Sequence, residues 1–208
     1  MSTGGLYGFI KNGVEKATFI RMGAEPSSLG RAVVDFVKDM TDNDLYDMFR
    51  NVVTVKSNDM PSAEELVYML SSGQFDGTWN GIIRGCQGDF ALYKELAGRN
   101  KKIYMTDDGE LILDSILCSY AYYINLDTMH LEYWKGLQSK PCRGNRYGTE
   151  KHGPIGFFTC RMLKKYPLDA VRGRPAAEII GEMERSAKAD EKKMSKNNWH
   201  GLLKPTHI

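Results

Sequence analysis

Arg143, Arg146, Tyr147, Lys151 and His152 fall within one stretch, Ser139 to Pro154, built mostly from loop-forming residues and cations. A guanidinium offers a planar fork of donors that fits a phosphate, and a tyrosine ring can stack on a base. The stretch exceeds the common length of connections between elements, which points either to a task or to mobility. Arg161, Arg172 and Arg174 follow in sequence and could join the same cationic patch. The chemistry expected of such a patch is recognition of an anion. The candidate ligand-binding residues are therefore Arg143, Arg146, Tyr147, Lys151, His152, Arg172 and Arg174.

The remaining reactive side chains do not assemble into a catalyst. His130 sits beside an expected turn, and His200 and His207 lie in the terminal segment. His152 has cationic neighbours, and no carboxylate adjacent in sequence clearly orients it. Cys86, Cys118, Cys142 and Cys160 are separated by 32, 24 and 18 positions, with no Cys-x-x-Cys pair and no His at ligand spacing. They indicate neither a zinc site nor a catalytic thiol, and read as free thiols in a reducing compartment. No interior serine sits in a Gly-x-Ser-x-Gly elbow. One nucleophile stays open: if Met1 is removed, Ser2 gains a free α-amine that can act as its own base. The expectation is no catalytic residue, no metal and no cofactor, with hydrolysis by Ser2 as the alternative.

Net charge is +2, but residues 1 to 100 carry 10 basic and 13 acidic side chains, whereas residues 101 to 208 carry 18 and 13. The basic second half suits an anionic partner, so nucleic acid stays open as a partner alongside a small molecule or a protein. Apolar runs break well before the roughly 20 residues that a membrane helix needs, so no membrane partner is expected. Neither a basic n-region nor an apolar h-region stands at the start, which points to the cytoplasm. A homo-oligomer is compatible with this composition.

The elements that must hold the basic stretch are readable by period. Leu6 to Lys11, Asn12-Gly13 and Val14 to Arg21 form the strongest short-range hairpin signal, because both central residues of a type I′ turn need positive φ. A helix is expected from Pro26-Ser27-Ser28, with Leu29, Val33, Phe36, Val37 and Met40 on one stripe. Thr41-Asp42-Asn43-Asp44 caps a second helix, and Ser62-Ala63-Glu64-Glu65 has the form of a capping box opening a third. Trp79 to Leu96 suits a helix, although Gly81, Gly85 and Gly88 weaken it. From Lys101 the period becomes two. Strands are expected at Lys102 to Met105, Glu110 to Leu113, Ile116 to Leu126, His130 to Lys135 and Ile155 to Leu163, followed by a helix from Pro175 through Arg185. The organisation expected is α+β: an N-terminal β-hairpin plus an antiparallel meander in a layered, αββα-like sheet covered by helices. Residues 1–185 form a single domain in this reading, and 186–208 form a polar segment whose Trp199, Leu202 and Leu203 pack or meet a partner.

At Gly5-Leu6-Tyr7-Gly8-Phe9-x-Lys11-Asn12-Gly13, Thr18 and Pro26-Ser27-Ser28-Leu29-Gly30, and again at Tyr123-Ile124-Asn125-Leu126-Asp127, Leu131-Glu132 and Lys135-Gly136, the chain resembles uncharacterised proteins of tailed bacteriophages and their bacterial hosts. Those relatives carry Asn, His and Asp where this chain has Ile20, Arg21 and Gly23. The order of elements is also similar to the layered fold of N-terminal nucleophile hydrolases, although Gly4-Gly5 stand where that family places its nucleophile. The resemblance implies a phage-encoded protein acting in the host cytoplasm. The function expected is non-enzymatic: binding a nucleotide-like anion, or docking on a host or phage protein. A nucleic-acid-associated accessory role is the further alternative.

Overall fold

The computed structural model describes residues 3–56, 59–71, 88–99, 101–152 and 156–202. Ser2, the stretch 79–87 and Leu203 lie outside them, and the side chains of Trp199, His200 and Leu202 are not described. The chain opens with β1 (Gly5–Lys11) and β2 (Val14–Ile20), joined at Asn12 and Gly13 with φ of 53° and 70°. This is the positive-φ pair that the Asn-Gly dipeptide demands. The turn is fastened from outside: Asp127 accepts the amides of Asn12 at 2.7 Å and Gly13 at 3.0 Å.

One wide helical turn, Pro26–Gly30, precedes α1 (Arg31–Asp39), so the α-helix proper starts five residues after the expected start at Pro26. Leu29, Val33, Phe36, Val37 and Met40 are all buried as the stripe requires. Next comes α2 (Asp42–Asn51), where Thr41 and Asp44 form a reciprocal capping box. Strand β3 (Val52–Val55) follows, then α3 (Ala63–Ser71), where Ser62 and Glu65 exchange the expected capping bonds. Helix α4 spans Phe90–Gly98.

The second half departs from a simple meander. Strand β4 (Ile103–Thr106) pairs in parallel with β3 in a separate two-stranded sheet, and Gly109–Leu113 is a 3-10 turn rather than a strand. The reason lies at Asp108, whose carboxylate accepts the Phe19 amide at 3.0 Å and so turns the chain against β2. Strands β5 (Tyr120–Asn125) and β6 (His130–Lys135) are antiparallel neighbours, but β5 lies parallel to β1. The expected strand at 155–163 resolves into β8 (Phe157–Phe158), which pairs with β7 (Lys151–His152), and β9 (Arg161–Pro167). The main sheet is thus mixed, in the order β2-β1-β5-β6-β9. A short helix α5 (Leu168–Gly173) leads into α6, which runs unbroken from Ala176–Leu202 across the boundary expected near 185.

The architecture is α+β. Side-chain alternation divides the sheet into two unlike faces. Tyr7, Phe9, Tyr122, Ile124, Leu131 and Tyr133 join the large core beneath α1, α2, α4, α5 and α6. Leu6, Ile10, Ala121, Tyr123 and Trp134 point the other way, where residues of the 109–118 and 145–160 segments cover them in place of a second stacked sheet. No helix among the described residues is long and apolar enough to cross a membrane.

Candidate anion-binding cleft

The chain leaves β6 through a bend that admits only glycine at 136: a Cβ there would stand 1.9 Å from the Cys118 carbonyl oxygen. Leu137 follows at φ +58°, and Gln138 is buried, its amide donating to the Ser115 hydroxyl at 3.0 Å. The Gln138 Nε2 donates to Asp190 of α6 at 3.0 Å, and the Ser139 hydroxyl reaches the Met194 sulfur at 3.4 Å. These contacts lay the start of the basic stretch against the helix. Between them opens a cleft of ≈ 480 Å³, whose lining includes Lys140, Cys142, Arg143, Arg161 and Lys193.

Arg161 pairs with Asp190 at 3.1 Å, and Asp190 is only 5% exposed. Lys140 and Arg143 are exposed. Among the described residues no carboxylate lines the cleft. Its volume lies in the range of small-molecule sites, and its cations supply a field that concentrates anions. Cys142 lines it too, and among the described lining residues no His, Asp or Glu accompanies that thiol. Nor do the described residues gather three or more His, Cys, Asp or Glu side chains where a metal could be held. Cys118, Cys142 and Cys160 are free thiols, whereas Cys86 lies outside the described residues.

The seven candidate residues from the sequence do not converge. Arg143 lines the cleft. Arg146 and Tyr147 turn onto the loop-covered face, where the Arg146 Nη1 meets both oxygens of Glu132 at 2.8 and 2.7 Å. Burial opposes its charge, yet Tyr147 and Glu132 together hold the guanidinium pKa above its ordinary value. Burial pushes the Tyr147 phenol up, and its hydroxyl donates to Glu15 at 2.7 Å. Lys151 lies over the Phe158 ring, and His152 is the second residue of β7.

Arg172 and Arg174 belong to the helix-covered side. Arg172 bonds the Met40 carbonyl at 3.0 Å and the carboxylates of Asp42 and Asp169 at 2.6 and 3.0 Å. Arg174 meets Glu182 at 2.5 Å and Glu178 at 3.7 Å, and holds the Glu182 carboxyl below its usual range. These two arginines fasten α5 to α2 and α6.

Sequence reasoning overlooked Gln138 and Lys193. A signal for the second existed: Ile179, Met183, Ala187, Asp190 and Met194 continue the inward stripe at three- and four-residue steps, well past Arg185. Carried on, that period would have set Lys193 beside Met194 at the loop. No family model matches the chain, and neither a curated protein nor a solved structure matches it.

Proposed function

We propose that this chain is a binding protein rather than a catalyst, and that it takes up a nucleotide-like anion in the cleft between the 138–143 segment and α6. The observation that carries this reading is the set of cations, Lys140, Arg143, Arg161 and Lys193, on a cleft of small-molecule size that no described carboxylate lines. Lys140 and Arg143 would meet the phosphates, because both line the cleft and are exposed. Arg161, already paired with Asp190, would fix the geometry of the floor. The sequence resemblance to tailed-phage proteins gives the reading its setting, the cytoplasm of an infected host.

Thermal unfolding with and without nucleoside triphosphates tests it. A ligand at a hundred times its Kd adds about 2.7 kcal/mol to a protein that binds it only when folded. Replacing both Lys140 and Arg143 by Ala should remove that gain and leave the unliganded midpoint unchanged, since both side chains are exposed. A double variant that binds as tightly as the parent overturns the assignment. Steeply salt-dependent retention on DNA, without protection by nucleotides, would move the function to nucleic acid.

A further inference from the structure

We infer that the loop-covered face carries a guanidinium receptor, filled in this structure by the chain's own Arg146, and that it is shaped to take an arginine side chain presented by a partner protein. This site is separate from the anion cleft. Its walls come from neighbouring strands: Tyr123 on β5, and Glu132 and Trp134 on β6. The Arg146 guanidinium carbon lies 4.7 Å from the centre of the Trp134 ring, 4.8 Å from that of Tyr147 and 5.4 Å from that of Tyr123. The Trp134 and Tyr123 rings, which belong to the sheet, both lie within reach of cation–π attraction, whereas the Tyr147 ring belongs to the occupying segment.

The carboxylate at the centre does not depend on the loop for its orientation. Glu132 Oε1 accepts from the Asn125 Nδ2 at 2.8 Å, and Oε2 accepts from the Trp134 Nε1 at 3.0 Å. Both donors stand on the sheet. The side chain of Glu132 is 7% exposed, so it requires a cation, and the paired rings favour a planar one over an ammonium. The Tyr123 hydroxyl and the Glu15 carboxylate, which interact with one another, border the cluster.

The occupying segment is tethered by the Asn145 bonds to Thr159 and Cys160 and by the Tyr147 bond to Glu15, which a competing arginine's partner must break or replace. Asn145, Arg146 and Tyr147 stand between Gly144 at φ +74° and Gly148 at φ +85°, and at both glycines an added Cβ would meet nothing within 4 Å. Two unhindered pivots therefore bracket the triplet. Arg146 itself is 34% exposed along its side chain, which makes the arginine the door of its own site. A tethered occupant competes at a high effective concentration, so a free arginine binds the intact chain weakly and the vacated site strongly.

The test uses the full chain and N-acetyl-arginine amide as probe, read by the indole N–H resonance of Trp134 and by the thermal midpoint. For Arg146→Ala, the probe should restore the midpoint and shift that resonance saturably. N-acetyl-lysine amide should do neither. The intact chain should need at least about tenfold more probe. Adding Glu132→Gln should abolish the response. If Arg146→Ala does not fold, Arg146→Lys keeps the charge and stem while losing the fork, and the same titration applies. No saturable shift in either variant, or an equal response to the lysine amide, overturns the inference.

Discussion

The two faces of the five-stranded sheet are held by different physics. Among the described residues, thirty buried apolar side chains form the core under the helices, whereas nine form the cluster on the opposite face. Helices present wide apolar stripes, so apolar area dominates the first face, with Phe36 packed among Phe9 and Phe90 as one centre. Coil cannot cover a sheet that way. The second face compensates with directional bonds: Glu132 to Arg146, Asn145 Nδ2 to the Thr159 hydroxyl at 2.8 Å and the Cys160 carbonyl at 2.7 Å, and Tyr147 to Glu15. What the difference teaches is that the weaker apolar cover and the recognition chemistry coincide, because the polar groups that replace area can also read a ligand.

The largest effect should come from the apolar face. Phe36→Ala removes a ring that is 1% exposed and should cost about 3–5 kcal/mol by denaturant unfolding, with the loss unchanged by salt. A loss that shrinks with added salt would mean that polar terms also govern this face. Next in size is Trp134→Phe, which keeps an aromatic ring and deletes the donor to Glu132; about 1–3 kcal/mol is expected. A double-mutant cycle with Glu132→Gln sharpens the contrast, since contacting groups couple by about 0.5 kcal/mol or more. Zero coupling between Trp134 and Glu132 would show that the loop-covered face is held by area after all.

The contrast also explains how far the sequence could be read. The Asn12-Gly13 turn, the stripe of α1 and the capping boxes at Thr41 and Ser62 are local codes, in which side chains a few residues apart settle the geometry. The α+β class followed from these local periods. Partner choice between strands was not local: alternation at Lys102 to Met105 foretold a strand but not its parallel pairing with Val52–Val55. The basic stretch misled for a related reason. Arg143 and Arg146 look alike in sequence, yet the positive φ of Gly144 between them sends one to the cleft and the other onto Glu132. A buried carboxylate on a strand, flanked by Asn125 and Trp134 donors, is a signal that only three-dimensional neighbours make visible.

The smallest expected effect sits where the two faces share an end of the sheet. Asp127 bridges the hairpin turn to the β5–β6 connection, taking the Asn12 and Gly13 amides and an ion pair from Lys11 at 3.6 Å. The amides of Gly13 and Asn12, with Lys11 behind them, hold its carboxyl below the ordinary value of 3.8. A carboxylate depressed in the folded state adds stability that is fully present above its unfolded pKa and disappears as pH falls through the folded one. Asp127→Asn retains an acceptor oxygen and deletes the charge, so it isolates that contribution. The midpoint gap between parent and variant should stay constant from neutral pH down to about 3.8 and close below it. If the gap instead opens or persists in acid, the turn is held by side-chain shape rather than by charge, and this end of the sheet belongs with the area-governed face.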